Sequence, residues 1–339
     1  MKEAAWYTAT HDNAVLCELC PHHCRIQPGK NGICLTRGNR GGTLHSLNYC
    51  RPVSTALDPI EKKPLYHFLP GSSIYSTGPN GCTFKCAFCQ NCDISQQPRH
   101  IPEVSPNALV DQVVQSASAG IAYTYSEPFI WFETIMAVGA RIKASGLANV
   151  MVSNGFYNPQ PLNDLLSVVD AFNIDIKSMQ ESFYRRLCKA SLGPVLQACE
   201  AIKKKRHLEI TNLLITDEND SADEVRQLAR YIAHNLGGDT PLHISRYFPR
   251  YNLTHRATAQ KTLLDAWTCA REHLDFVYIG NMPAGDKANT HCPACNELLI
   301  MRNGYVTKCK FSKISESHNS EKAICPQCKA DVSIVIGIS

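Results

Sequence analysis

The run Gly81-Cys82-Thr83-Phe84-Lys85-Cys86-Ala87-Phe88-Cys89-Gln90-Asn91 decides how this chain is read. Its three cysteines stand in a C-x3-C-x2-C spacing, with Phe88 directly before the last. Three thiolates on so short a loop can hold three irons of a 4Fe–4S cluster and leave the fourth iron open. A structural site closes that last position, whereas a reactive one keeps it free. The competing reading is a zinc knuckle with Cys92 as a fourth ligand, through Cys86-x2-Cys89-x2-Cys92. Zinc prefers closed sets of four ligands, often two C-x2-C pairs from separate turns. The x3 gap, Phe88 and the strand–loop–helix setting favour the cluster.

Outward from that loop, from about residue 73 to 281, short apolar runs alternate with helical periods. Strands are expected at 73–77, 121–125, 149–153, 172–176, 208–214, 242–245 and 276–279, most of them β-branched or aromatic and bounded by Gly, Asn or Pro. Helices are expected at about 105–119, from Ser126 onward, and over 161–168, 194–205, 221–235 and 257–273. Ser105 before Pro106 opens the first, and Ser126 caps the second, with Pro128 in its first turn. Repeated βα units require a parallel sheet with crossover helices. Six or seven such units fit an α/β fold of the open, partial (β/α)6 TIM-like barrel type. A dinucleotide-binding sheet fits less well, because no G-x-G-x-x-G follows the first strand. In barrels the site gathers at the carboxyl ends of the strands, and the triplet follows the first of them.

The chain divides into a Cys-rich N-terminal metal module at 1–70, the barrel at 71–285 and a zinc-ribbon-like unit at 286–339. A polar segment at 283–289 reads as a linker, 315–322 as a polar loop, and 332–338 as an alternating apolar strand. Seventeen cysteines are far above background for an intracellular chain of 339 residues, and they are clustered. Close C-x2-C spacing suits metals better than disulfides and points to a reducing, anaerobic cytoplasm. Cys292-Pro293-Ala294-Cys295 and Cys325-Pro326-Gln327-Cys328 read as two knuckles closing a tetrahedral zinc site. Cys309 and His291 compete as ligands there, and rubredoxin-like iron competes with zinc. Cys17, Cys20, Cys24 and Cys34 also imply a metal, either zinc or an auxiliary iron–sulfur cluster, with His22 and His23 as alternative ligands.

Bulk composition narrows the classes. Hydrophobic residues make up 44% and charged residues 19%, as in globular soluble proteins. A net charge of +4 is too weak to argue for a nucleic-acid partner. The first fifteen residues hold no apolar core of a signal peptide. The most apolar stretch, 129–142, carries Glu133 and Arg141 and is too short to span a membrane, so no membrane partner is expected.

The string CTFKCAFC resembles the radical S-adenosylmethionine (SAM) motif. CQNCDISQ from Cys89, YTYSEP from Tyr123, SNGF from Ser153, IDIKS from Ile174, HISRYFP from His243 and YIGN from Tyr278 resemble one subfamily across nearly the whole chain. It is the radical SAM protein of the AmmeMemoRadiSam system, related to pyruvate formate-lyase activating enzymes. The resemblance implies that Cys82, Cys86 and Cys89 hold the cluster and that SAM chelates its open iron through amino and carboxylate groups. An electron from the cluster then splits the sulfonium into methionine and a 5′-deoxyadenosyl radical, which abstracts hydrogen from a substrate. A flavodoxin or ferredoxin is the implied electron donor.

The resemblance also assigns individual residues. Phe88 packs near the adenine, with a plain core aromatic as the alternative. The family often has Gly-Gly-Glu-Pro where this chain has Tyr125-Ser126-Glu127-Pro128. Glu127, and Ser126 with it, therefore receives the SAM amino group; a charge at a helix N-terminus is the plainer role for Glu127. Ser153, Asn154, Asp175 and Lys177 contact the methionine carboxylate, the ribose or the amine. Alternation puts Asn173, Asp175 and Lys177 on one strand face, where an ordinary ion pair is the alternative. Val152 stands where activating enzymes often carry an acidic residue for a monovalent cation. His243, with Arg246 and Tyr247, lines the adenosine or substrate pocket, or else is a satisfied core histidine. The substrate class implied is a small molecule, handled with AMMECR/Memo-like partners. A glycyl-radical activase and a non-catalytic metal-binding interaction protein are the other readings.

Overall fold

The seven apolar runs become seven strands of one sheet, each hydrogen-bonded in parallel to the next in chain order. The computed structural model describes residues 1–317 and 320–338. Numbered along the main sheet, β1 is Ser54–Pro59, β2 Ser73–Gly78, β3 Gly120–Tyr123 and β4 Ala148–Ser153. Then follow β5 Ala171–Asp175, β6 His207–Leu214, β7 Leu242–Arg246 and β8 Val277–Gly280. Parallel neighbours need long crossovers, and helices supply them. These are α1 Pro106–Gln115, α2 Phe132–Ala144, α3 Pro159–Val168, α4 Gly193–Lys203, α5 Ala222–Tyr231 and α6 Gln260–Arg271. No apolar pattern marks strand β1; it pairs antiparallel with β2 and forms one edge of the open sheet, with β8 at the other.

Local chemistry sets the helix starts. Ser105 accepts from Ala108 N at 3.0 Å and Ser221 from Glu224 N at 3.2 Å, each satisfying a donor the helix leaves over. Leu109 and Val113 of α1 are then fully buried, a contribution of roughly 2 kcal/mol apiece. Ahead of α2 the cap is Glu127 rather than Ser126. The Glu127 carboxylate accepts from Phe129 N at 2.9 Å and opens a 3-10 turn, Pro128–Trp131.

Toward the amino ends of the strands a polar network fills the interior. Glu209, fully buried on β6, accepts from His67 N at 2.7 Å and Tyr66 N at 3.0 Å. The imidazoles of His207 and His243 lie 3.0 and 2.7 Å from its oxygens. Burial opposes the charge, but the two histidines hold this carboxyl well below its ordinary range. The segment before β2 is also tied to the C-terminal strand Asp331–Ile338, through Leu69 N to Val335 O and Val335 N to His67 O, both 2.8 Å.

The first 46 residues form two three-stranded antiparallel sheets. One of them, containing Arg37–Arg40, is locked to α2 by a buried ion pair between Arg37 and Glu133 at 2.9 Å. After β8 come two more three-stranded sheets, whose apolar residues Leu299, Ile300, Val332 and Ile334 pack on Phe276 and Tyr278. The expected polar loop at 315–322 is instead part of a hairpin, with strands Ser312–Ser317 and Ser320–Ile324. Positions 318 and 319 of that expected loop lie outside the described residues. The expected linker contains a 3-10 turn, Gly285–Ala288.

The carboxyl ends of β2 and β3 converge at Gly78. A Cβ there would lie 1.9 Å from the carbonyl oxygen of Thr124. Gly78→Ala is expected to destabilise the fold by about 3 kcal/mol through forced backbone displacement. Gly193→Ala, where nothing lies within 4 Å, should stay within about 1 kcal/mol of the wild type. Urea unfolding of both variants measures the difference.

Candidate active site and metal centres

The triplet loop leaves β2 at its carboxyl end and is pinned from two sides. Lys85 N and Ala87 N donate to Cys188 O and Leu187 O, both at 2.9 Å. Gly81 N donates to Ile94 O at 2.9 Å, and Gln96 Nε2 to Phe84 O at 3.2 Å. Cys86 is buried, while Cys82 and Cys89 are partly open. All seventeen cysteines are free thiols. Donors converge on the triplet sulfurs: Phe84 N on Cys82 Sγ at 3.3 Å, and Asn154 Nδ2 on the same sulfur at 3.8 Å. Ser95 Oγ lies 3.1 Å from Cys89 Sγ. Cys92 sits in the short helix Cys92–Ser95 that follows.

Glu127 joins this loop to the ends of β3 and β4. One carboxylate oxygen accepts from Phe129 N at 2.9 Å and Ser153 Oγ at 2.7 Å; the other accepts from Asn154 N at 2.9 Å. Asn154 then donates to Thr83 Oγ1 at 2.9 Å, beside Cys82. Burial pushes the Glu127 carboxyl up to about 7, against the lowering pull of these donors. Ser126 turns away and donates to Pro79 O at 2.5 Å. Tyr125, at φ 72°, accepts on its carbonyl from Asn91 Nδ2 at 2.5 Å, so the turn between β3 and Glu127 is also fastened to the triplet loop.

Across the sheet, Lys177 Nζ lies 3.1 Å from Asp175 Oδ2 and 5.8 Å from the centre of the Phe88 ring. Its backbone N–H donates to Tyr184 OH at 3.0 Å. Burial works against the ammonium, but Asp175, Cys86 and Cys188 keep it protonated well beyond an ordinary lysine. Phe88 itself is buried against Phe183 at 5.8 Å between ring centres.

The structure thus brings Cys82, Cys86, Cys89, Phe88, Glu127, Ser153, Asn154, Asp175 and Lys177 to the carboxyl-end rim. It does not bring His243 there. That ring lies near the amino end of β7, bonded to Glu209 and edge-on to Tyr66 at 4.6 Å. Two groups at the rim went unread in the sequence. Cys188, fully buried, lies within hydrogen-bonding reach of Cys86, and Tyr184 holds the backbone of Lys177. No local pattern marks either one.

In the C-terminal unit, Cys292, Cys295, Cys325 and Cys328 bring their sulfurs within 4.8 Å of one another. Cys292 to Cys328 and Cys295 to Cys325 are each 3.6 Å apart. Burial raises the Cys325 thiol, yet the N–H groups of Cys328 and Gln327 aimed at its sulfur bring it down to about 7. His291 faces Asp286 and Asn296, and Cys309 faces Pro70 O, so neither joins this group. Among the described residues no helix is long and apolar enough to cross a membrane.

Comparison with known proteins points to one superfamily. The Radical SAM superfamily model matches residues 77–232. An uncharacterised protein of Methanocaldococcus jannaschii is 40% identical over 342 residues, covering 99% of this chain and 100% of its own length. A pyruvate formate-lyase-activating enzyme of Listeria monocytogenes is 23% identical over 164 residues, covering 45% of this chain and 66% of that one. Among solved structures, a radical SAM methyltransferase from Sphaerobacter thermophilus superposes with a TM-score of 0.49 at 16% identity, over 66% of this chain and 70% of that one.

Removing the Glu127 carboxylate would strand three donors that have no access to water. Glu127→Ala is expected to destabilise the fold by about 3 kcal/mol. The urea midpoint measures it, and an unchanged midpoint would contradict the central place given to this carboxylate.

Proposed function

The chain belongs to the radical SAM superfamily, and from that premise we propose that it cleaves SAM reductively at a 4Fe–4S cluster held by Cys82, Cys86 and Cys89. The observation that carries this reading is that Glu127 accepts from both Ser153 and Asn154, and Asn154 in turn donates to Cys82 Sγ. This bonding gathers the ends of β3 and β4 around a triplet loop whose sulfurs already receive donors. Free thiols with N–H and O–H groups directed at them are the donor set an iron–sulfur cluster takes. When bound, the cluster supplies one electron to the SAM sulfonium, giving methionine and a 5′-deoxyadenosyl radical.

The protein residues do the holding. Both oxygens of Glu127 are taken by its own neighbours, so it acts as a positioning residue that fixes Ser153 and Asn154. Lys177 offers a fixed positive charge to a carboxylate at the rim, and Asp175 keeps that charge in place. Phe88 walls the same space. The C-terminal four suit zinc, because Zn–S bonds of about 2.3 Å put tetrahedral sulfurs roughly 3.8 Å apart. Such a site supplies folding energy to a small unit.

The substrate at this rim would be a small molecule that loses a hydrogen atom, with AMMECR/Memo-like partners and a flavodoxin or ferredoxin donor in a reducing cytoplasm. The chain carries no ferredoxin-like cysteine insert after Cys89, as many glycyl-radical activases do. The second reading is such an activase, favoured by the likeness to the Listeria activating enzyme. It requires a partner protein that gains a stable glycyl radical signal.

Anaerobic reconstitution followed by dithionite and SAM is expected to release 5′-deoxyadenosine from the wild type. Cys82→Ala should release at least about a hundredfold less. Equal, negligible release from both, despite full iron loading of the wild type, would defeat the radical reading. Lys177→Ala should weaken SAM binding about tenfold without loss of iron.

A further inference from the structure

The triplet loop turns its cysteines toward the rim, but its back comes to the protein surface. Lys85 and Ala87, on either side of the buried Cys86, are both partly exposed. Two segments frame this outlet. On one side lies the π-helical turn Tyr184–Cys188, bonded to the loop through Lys85 N to Cys188 O and Ala87 N to Leu187 O, both 2.9 Å. On the other side the connection from β7 to α6 crosses over to the loop. Asn252 N donates to Ala87 O at 2.9 Å, Gln90 Nε2 to Phe248 O at 3.1 Å and Arg250 to Asp93 at 2.8 Å. Glu218 joins the two sides, 3.1 Å from Arg186 and 3.5 Å from His255.

The frame carries a surplus of outward positive charge. Arg185, Arg186, Lys189, Arg250 and Arg256 are exposed, whereas the exposed carboxylates of these segments are Asp93 and Asp217. The Glu218 side chain that answers Arg186 is only 7% exposed, against 59% for the guanidinium, so the cation is what a visitor meets. Phe248 and Tyr251 stand among these charges at 44% and 45% exposure. Among the described residues one other aromatic side chain is as exposed, Tyr305 in the C-terminal unit.

Arginine and aromatic side chains dominate the binding energy of protein interfaces, and a positive surface selects a partner of opposite sign. The place of this surface decides what the partner does. Tyr251 adjoins Asn252, whose N–H bonds Ala87, the neighbour of Cys86; Lys189 adjoins Cys188, whose carbonyl bonds the other neighbour, Lys85. A protein resting on Tyr251 and Lys189 is therefore separated from a triplet sulfur by little more than one layer of backbone.

We propose that Arg185, Lys189, Arg250 and Tyr251, around the back of the triplet loop, form the docking surface for a small acidic protein that carries one electron near its own surface. The electron-entry half rests on the radical SAM reading; the docking half does not. The reduced carrier gives up one electron, the triplet-held cluster takes it up, and no bond or proton is exchanged.

The test uses the full-length, anaerobically reconstituted protein, with an acidic ferredoxin as the probe. A carbodiimide, which joins carboxylates directly to amines, should couple ferredoxin to Lys189, and the yield should fall as salt is raised. Reduction of the cluster by ferredoxin, followed by freeze-quench EPR, should slow about tenfold in Arg185→Glu/Lys189→Glu and about fivefold in Tyr251→Ala. Dithionite should reduce both variants as fast as the wild type. Cross-links confined to lysines outside this face, or ferredoxin reduction that neither variant slows, would overturn the proposal. Equal slowing with dithionite would overturn it too, because the substitutions would then act on the cluster site. Wild type that ferredoxin reduces through this face, yet that releases no 5′-deoxyadenosine from SAM, would instead count against the radical reading alone.

Discussion

A carboxylate removed from water is destabilising unless donors surround it, and Glu127 is surrounded. Its oxygens take the backbone of its own 3-10 turn and both polar groups at the end of β4. Asn154, held this way, reaches back to Thr83 and Cys82. One buried carboxyl group thereby sets the relative positions of three strand ends, and the triplet loop has little freedom left. A site whose ligands are placed before the cofactor arrives loses less to ordering when it binds. Neighbouring constraints act in the same direction, with Tyr125 O receiving Asn91 and Lys177 N held by Tyr184.

The three cysteine groups show how one side chain serves three geometries. The C-terminal knuckles bring four sulfurs together on short turns whose N–H groups point at the thiols. The triplet lies on a loop pinned by backbone bonds on both sides, so its sulfurs face the rim of the sheet. The N-terminal four line one small pocket with the buried Arg37. Similar C-x2-C pairs therefore do not mean equal chemistry. The backbone that carries the cysteines decides whether their sulfurs close on one ion.

Much of this was legible in the sequence for physical reasons. Strands β2 to β8 are buried and β-branched or aromatic-rich, which is how a parallel sheet covered by helices must read, and their expected positions agree to within a few residues. The triplet was legible because its three cysteines are close together in the chain. What escaped depends on partners far apart in the chain. Strand β1 is mostly exposed along its length and owes its place to pairing with β2. Arg37 meets Glu133 across 96 positions, and nothing near either residue announces the pair. His243 is ambiguous in the sequence for the same reason: its partner Glu209 is 34 positions away, and only the fold shows that the imidazole is already satisfied. At 315–322 a polar run reads as a loop, yet pairing with the last strand draws most of it into a hairpin.

The central claim is that the triplet leaves one iron open and that SAM fills it. Electron–nuclear double resonance on the reduced, reconstituted enzyme with SAM labelled by oxygen-17 in its carboxylate addresses this directly. The expected result is a strong hyperfine coupling between the cluster and the labelled oxygen, present in the wild type and absent when Cys82, Cys86 and Cys89 are replaced. A reduced triplet-held cluster that shows no such coupling, with SAM bound at saturation, would contradict it.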